Sequence, residues 1–365
     1  MKKTIVVLAG DGIGPEVTRA AVAILKECGA AFGHTFELLE APLGGVAIDA
    51  AGVPLPKDTL NACRRADAVL LGAVGGPKWD GRAPGQRPET GLLELRQSLE
   101  LYVNVRPVRL REPLRGVSPL RPERLGKLDL EIVRELAGGM YFGARGSEGI
   151  GAQQRAWDTE SYSTPEIERI ARFAFLRAAA RSRKLTSVDK ANVLSSSMLW
   201  RRTVTSMAVA HPAIRVEHMY VDNAAMQLVL NPAQFDVVLT SNMFGDILSD
   251  GAAALVGSIG LIPSASYGNA APLFEPIHGS APQLAGKDVA NPIGTILSVT
   301  MMLRDTFGLS SEAGWIEHAL DKVLAAGHST PDLVQPGSHP VGTQEFTGIL
   351  RKQMQATREQ AERGG

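Results

Sequence analysis

The feature that most constrains the fold is a repeated change of hydrophobic period along the chain. Thr4-Ile5-Val6-Val7-Leu8 is a short apolar run of the kind a buried strand needs. Gly10-Asp11-Gly12-Ile13-Gly14-Pro15-Glu16 then leads into a helix, with proline at a first-turn position where its missing N–H costs nothing. Val17, Ala20, Ala21, Ile24 and Leu25 recur at helical spacing. The pattern repeats. Residues 36–40, 68–71, 184–188 and 235–239 read as strands. A helix starts at Ser163-Thr164-Pro165-Glu166, with Ile167, Ile170, Ala171, Ala174, Phe175 and Ala178 on one face. Strands alternating with helices predict an α/β architecture.

At 365 residues the chain predicts roughly two domains. Its 38 basic and 38 acidic side chains cancel, which argues against nucleic acid or another polyanion as a partner. The basic runs Arg181-Ser182-Arg183-Lys184 and Arg201-Arg202 read as solvated helix ends. Cys28 and Cys63 sit in unrelated segments without metal-ligand spacing, the usage of a reducing compartment. Asp11 interrupts the first apolar run too early for a secretory signal. The longest apolar window, residues 252–262, is broken by glycines and too short to span a bilayer. A cytoplasmic protein without a membrane partner is expected. Residues 143–163, rich in Gly, Ser, Gln and charge, read as a long loop or a protruding β-arm.

The chemistry concentrates after the run 235–239. Thr240-Ser241-Asn242-Met243-Phe244-Gly245-Asp246-Ile247-Leu248-Ser249-Asp250 places two carboxylates four apart, one above the other on a helix face. Hard oxygen ligands suit Mg²⁺ or Mn²⁺, and the end of a strand is where open α/β sheets bind ligands. Taken alone, an acidic pair at a helix start also answers the helix dipole. Arg96, Arg106 and Arg134 each follow or interrupt an apolar run. Converging arginines would suit a dicarboxylate, whereas a single arginine is usually a surface residue. Tyr141 and Lys190 are groups an enzyme can use for proton transfer next to a carbonyl, although alone either more often plays a structural part. Asp222 could complete the carboxylate set or cap a helix. Phe274-Glu275-Pro276-Ile277-His278-Gly279-Ser280-Ala281-Pro282 is a small-residue loop that lets a ligand approach the backbone. Gly10-x-Gly12 has Pro15 where a dinucleotide fingerprint needs glycine, so the Rossmann reading is weak.

These motifs, in this order, resemble one family. Val133-Arg134-Glu135-Leu136 with Gly138-Gly139-Met140-Tyr141-Phe142-Gly143, Val188-Asp189-Lys190-Ala191-Asn192-Val193, and residues 242–250 are the most specific. The chain is similar to the metal-dependent β-decarboxylating dehydrogenases, the isocitrate/isopropylmalate family, from Leu8 to Thr347. The resemblance implies a two-domain α/β fold that is not a Rossmann fold. One domain would comprise residues 1–101 plus 257–365, the other residues 102–256, with a β-arm at about 144–163 for dimerisation. Each active site of a homodimer would be completed by the neighbour's Lys190 and Asp222. Arg96, Arg106 and Arg134 would hold the malate carboxylates, and Asp222, Asp246 and Asp250 would hold Mg²⁺ or Mn²⁺. Lys190 would assist loss of the hydroxyl proton, and Tyr141 would protonate the product carbon. Ile13, Glu89, Glu275, His278, Gly279, Ser280, Ala281, Pro282, Gln283 and Asn291 would contact NAD.

Pro88-Glu89-Thr90-Gly91-Leu92-Leu93 resembles the isopropylmalate branch. Leu92, Leu93 and Val193 would form an apolar pocket, worth about 1.5–3 kcal/mol for an isopropyl group and hostile to a third carboxylate. The implied reaction is NAD-dependent oxidative decarboxylation of (2R,3S)-3-isopropylmalate to 4-methyl-2-oxopentanoate and CO₂, a step of leucine biosynthesis. Family members acting on homoisocitrate, tartrate or D-malate, or a catalytically silent relative, are the rival readings. Gln283 departs from the family's usual aspartate. It leaves NAD expected but a 2′-phosphate unrepelled, with Asp288 as a nearby replacement charge.

Overall fold

The computed structural model describes the backbone of residues 1–364 and the side chains of residues 1–359 apart from Pro84. In chain order its main strands are β1 (Lys2–Gly10), β2 (Thr35–Glu40), β3 (Ala68–Ala73), β4 (Leu101–Arg109), β5 (Asp129–Glu135), β6 (Arg145–Glu148), β7 (Arg155–Asp158), β8 (Lys184–Asp189), β9 (Arg215–Tyr220), β10 (Val237–Thr240), β11 (Pro263–Gly268) and β12 (Leu273–Pro276). The chain divides into two compact units, one of residues 1–101, 111–119 and 256–365, the other of residues 102–110 and 120–255.

In the first unit the strand order is β2-β1-β3-β12-β11, parallel from β2 to β12 with β11 antiparallel. All six residues of β3 are buried, as a central parallel strand requires. Helix Gly14–Phe32 starts with proline in its first turn and buries Val17, Ala20, Ala21, Ile24 and Leu25. It ends at Gly33, whose φ of 70° is the left-handed conformation that terminates helices. Helix Ile293–Met301 is buried at every position, so it carries no polar face.

In the second unit β4 pairs antiparallel with β5, and β5, β10, β8 and β9 continue in parallel. Helix Thr164–Ala180 begins with a capping box between Ser163 and Glu166, and its six expected apolar residues are all buried. The segment expected as a loop or arm contains the two-stranded antiparallel hairpin of β6 and β7, with seven of its eight strand residues exposed. Among the described residues no helix is long and apolar enough to cross a membrane.

The basic runs are solvated only in part: Arg183 and Arg202 are exposed, whereas Arg181 and Arg201 hold carboxylates. Arg181 bonds Asp236 at 2.6 Å and Asp129 at 2.8 Å, and Arg177 bonds Glu131 at 2.9 Å. Glu131 and Asp236 are both buried, so their charges need these fixed partners. Arg201 likewise holds buried Asp189 through two bonds of 2.8 and 2.9 Å. Both cysteines are free and buried, and burial pushes each thiol up to about 12.

Candidate active site

A polar cluster of predicted site residues lies in the second unit. It is built on β4, β5 and helix Asn242–Leu255, which follows β10. Arg106 and Arg134 stand diagonally across the antiparallel pair, where Asn104 faces Arg134 and Arg106 faces Ile132. Both arginines are buried. Arg106 donates to Asn104 at 2.8 Å and to Ser249 at 2.7 Å, and lies 3.2 Å from Asp246 and 3.4 Å from Asp250. Arg134 donates to Asn242 Oδ1 from two nitrogens, at 3.0 and 2.8 Å, and forms an ion pair with Asp246. Tyr141 donates its hydroxyl proton to Asp246 Oδ2 at 2.7 Å. The cluster thus joins five predicted site residues: Arg106, Arg134, Tyr141, Asp246 and Asp250.

Helix Asn242–Leu255 has no acidic residue in its first turn. Asp246 falls in the second turn and Asp250 in the third, so the helix dipole does not account for the pair. The helix begins where it does for tertiary reasons: Asn242 donates Nδ2 to Gly138 O at 2.9 Å, and its N–H donates to Tyr162 Oη at 2.9 Å. Gly245 allows the close approach, because a Cβ there would lie 2.7 Å from Cβ of Arg134. Burial raises the Asp250 carboxyl, with Arg106 opposing and Asp246 adding to the rise. Burial also raises the Tyr141 phenol, reinforced by its bond to Asp246. Tyr141 is therefore a proton-bearing group at neutral pH.

Lys190 and Asp222 form a separate pair at 2.6 Å. Asp222 lies in the first turn of helix Val221–Leu230 rather than at its cap, which is Tyr220. Its carboxyl is lowered chiefly by the hydrogen bond from Lys190. Among the described residues no three His, Cys, Asp or Glu side chains converge as a metal site. One chain thus does not bring Asp222 together with Asp246 and Asp250. Val193 is 64 % exposed.

The first unit holds the other predicted residues. Arg96 pairs with Glu275 at 2.6 Å. Leu92 and Leu93 are half-buried on helix Pro88–Ser98, while Leu95 fills its core position. Glu89 is exposed in the first turn of that helix. Ile13 N–H donates to Ser280 O at 2.8 Å, joining the first glycine loop to the His278-Gly279-Ser280 loop. A Cβ on Gly12, whose φ is +57°, would collide with Ser280. Ile13 packs with Val17 and Ala290, and Ala281 lies against them. His278 is buried, bonded at Nδ1 to Gly279 O at 2.9 Å, and its Nε2 is buried without a partner. Burial holds its imidazole below the usual range. Asn291 accepts from Ile293 N–H and donates to Asp332, both at 3.0 Å. Pro282 and Gln283 are exposed. Asp288 accepts from Gln344 N–H at 2.9 Å, so one of its oxygens serves the start of helix Thr343–Gly364 rather than standing free as a replacement charge.

One residue of this region escaped the sequence reading. Asp11 is buried and accepts from Gly45, Val46 and Gly75 N–H, each at 2.8 Å. A lone carboxylate between two glycines of positive φ, Gly10 and Gly12, was the available signal. Replacing Asp11 by alanine leaves three amide donors unpartnered. It is expected to cost on the order of 3 kcal/mol of stability, read as a lower urea midpoint at unchanged slope.

The geometry has close relatives. The family model for isocitrate/isopropylmalate dehydrogenase matches residues 4–350. The 3-isopropylmalate dehydrogenase of Moorella thermoacetica is 54 % identical over 352 residues, covering 96 % of this chain and 99 % of the relative. That of Bacillus licheniformis is 53 % identical over 354 residues, covering 96 % of this chain and 95 % of the relative. The crystal structure of isocitrate dehydrogenase from Methylococcus capsulatus superposes with a TM-score of 0.85 at 35 % identity, covering 96 % of this chain and 99 % of that one. The chain belongs to the isocitrate/isopropylmalate dehydrogenase family.

Proposed function

We propose that the chain is a NAD-dependent dehydrogenase that oxidises and decarboxylates 3-isopropylmalate to 4-methyl-2-oxopentanoate, in the cytoplasm, as a step of leucine biosynthesis. The observation that carries the reading is the cluster of Arg106, Arg134, Tyr141, Asp246 and Asp250 on one unit. It combines carboxylate anchors, hard cation ligands and a proton donor. The greater identity to 3-isopropylmalate dehydrogenases than to the isocitrate dehydrogenase favours an apolar over a carboxylate side chain on the substrate.

Asp246, partly buried, and Asp250, exposed, fit Mg²⁺ or Mn²⁺ as oxygen donors four apart on one helix. Bound there, the cation would polarise the C2 oxygen and stabilise negative charge after CO₂ leaves. Arg106 and Arg134 orient the malate carboxylates, with Arg96 as the third anchor. Lys190 assists removal of the C2 hydroxyl proton as hydride leaves C2 for NAD. Loss of the β-carboxylate as CO₂ then leaves an electron pair at C3, which the Tyr141 phenol protonates. Leu92, Leu93 and Val193 accept the isopropyl group.

The test is NADH formation with Mg²⁺ and each of 3-isopropylmalate, D-malate, isocitrate and homoisocitrate, with NADP in parallel. Turnover confined to 3-isopropylmalate is expected, with NAD preferred over NADP. Preference for another acid removes the roles given to Leu92 and Leu93. Equal efficiency with NADP removes the assigned cofactor preference, and no turnover favours a silent relative.

Lys190 and Asp222 pair with each other and not with the Asp246 cluster. This supports a homodimer in which each chain completes the other's site. Mixing Tyr141→Phe and Lys190→Ala subunits should then restore activity. Random reassortment of two-fold dimers makes half of them mixed, each with one intact site of two, so about a quarter of wild-type activity is expected. A mixture as inactive as its parents would place both residues in the same chain's site.

A further inference from the structure

We propose that Arg201 and Tyr220 position the Lys190–Asp222 pair by clamping together the ends of β8 and β9. The role given to that pair rests on the function proposed above. Asp189 and Tyr220 are register partners at the last positions of these parallel strands. Lys190 is the residue after Asp189, and Asp222 lies two beyond Tyr220. The separation of the two strand ends therefore sets where both functional side chains start.

Arg201 spans that gap. It projects from helix Ser195–Ala208 and grips Asp189 with two bonds, at 2.8 and 2.9 Å. Its guanidinium carbon lies 4.8 Å from the centroid of the Tyr220 ring. The same ring has Lys190 Nζ at 5.9 Å, so one aromatic ring serves two cations. Asp189 is 1 % exposed and needs a fixed countercharge. Only a planar guanidinium meets a carboxylate edge bidentately and stacks on a ring at once; lysine does neither as well.

Tyr220 is the telling member. It is 37 % exposed at the end of an edge strand, so core packing does not explain its ring, whereas a platform for two cations does. The 2.6 Å contact between Lys190 and Asp222 joins side chains that are themselves 27 % and 67 % exposed. Such a pair loses side-chain entropy on holding one geometry, and a locked base beneath it reduces that cost.

Tyr220→Leu is the first variant to make, because leucine keeps an apolar side chain at this edge-strand end while deleting the ring. Its kcat with 3-isopropylmalate should fall about tenfold or more, since small misplacements of catalytic groups carry such costs, while KM stays within about twofold. Tyr220→Phe keeps the ring but loses the hydroxyl that also engages Arg201, so it should restore part of kcat. Arg201→Lys, which loses the fork and the stack, should behave like Tyr220→Leu. A crystal structure of Tyr220→Leu gives a readout independent of turnover: the contact between Lys190 and Asp222 should be open. An intact contact overturns the clamp, as does an unchanged kcat, or a Tyr220→Phe variant as impaired as Tyr220→Leu. If the wild-type protein turns over none of the acids, the functional reading fails, and the crystal structure still decides the clamp.

Discussion

Asp246→Asn is expected to abolish turnover, lowering kcat/KM by about three orders of magnitude or more, the scale of losing a Lewis-acid cation. Asp246 is the hub of the cluster: Arg106 lies 3.2 Å from it, Arg134 pairs with it, and Tyr141 bonds it at 2.7 Å. Asparagine keeps the shape and one acceptor oxygen, so the helix and its neighbours should stay in place. It removes the charge that a divalent cation and two guanidiniums require. The effect should therefore separate by ligand. Mn²⁺ affinity, measured by titration calorimetry, should fall far more than affinity for the dicarboxylate measured without metal, because Arg106 and Arg134 remain. An Asp246→Asn protein that retains Mg²⁺-dependent turnover near the wild-type level would remove Asp246 from the metal set.

The sequence disclosed the parts of the fold whose signals are local. Helix Thr164–Ala180 was legible because its capping box and its apolar stripe lie within one stretch of chain. The buried runs of β1, β3, β8 and β10 were legible for the same reason. What stayed hidden was set by distant partners. The basic runs looked like solvent-facing charge, and nothing near Arg181 or Arg201 in sequence announces Asp236 or Asp189 as buried partners, or Asp129 as a further one. Asp11 lay inside a loop read for its glycines, yet its three amide donors come from segments 34 to 64 residues away. The placing of Asp246 in the second turn depends on Asn242 binding Gly138 and Arg134 across more than 100 residues. In the site itself, residue types and their order were readable. The mutual engagement of Arg106, Arg134, Asp246 and Tyr141 was not, because it depends on strand register and on the packing that Gly245 permits.

That engagement makes Tyr141→Phe the sharper probe of mechanism. Burial first, then the bond to Asp246, raises the Tyr141 phenol, against the opposing charges of Arg134 and Arg106. A phenol raised above its ordinary value keeps its proton throughout the neutral range, so Tyr141 can donate but not abstract. Its ring lies 5.5 Å from the Arg134 guanidinium, and phenylalanine preserves that contact while deleting only the hydroxyl. Loss of a positioned acid should lower kcat by about 10²–10⁴. If the phenol acts only after CO₂ has left, hydride transfer precedes the damaged step and should survive. Rapid mixing should then show a burst of about one NADH per active site, followed by a slow steady rate. Enzyme whose first turnover is as slow as the rest would show that Tyr141 acts at or before hydride transfer, and the protonation of the product carbon would have to be assigned to another group.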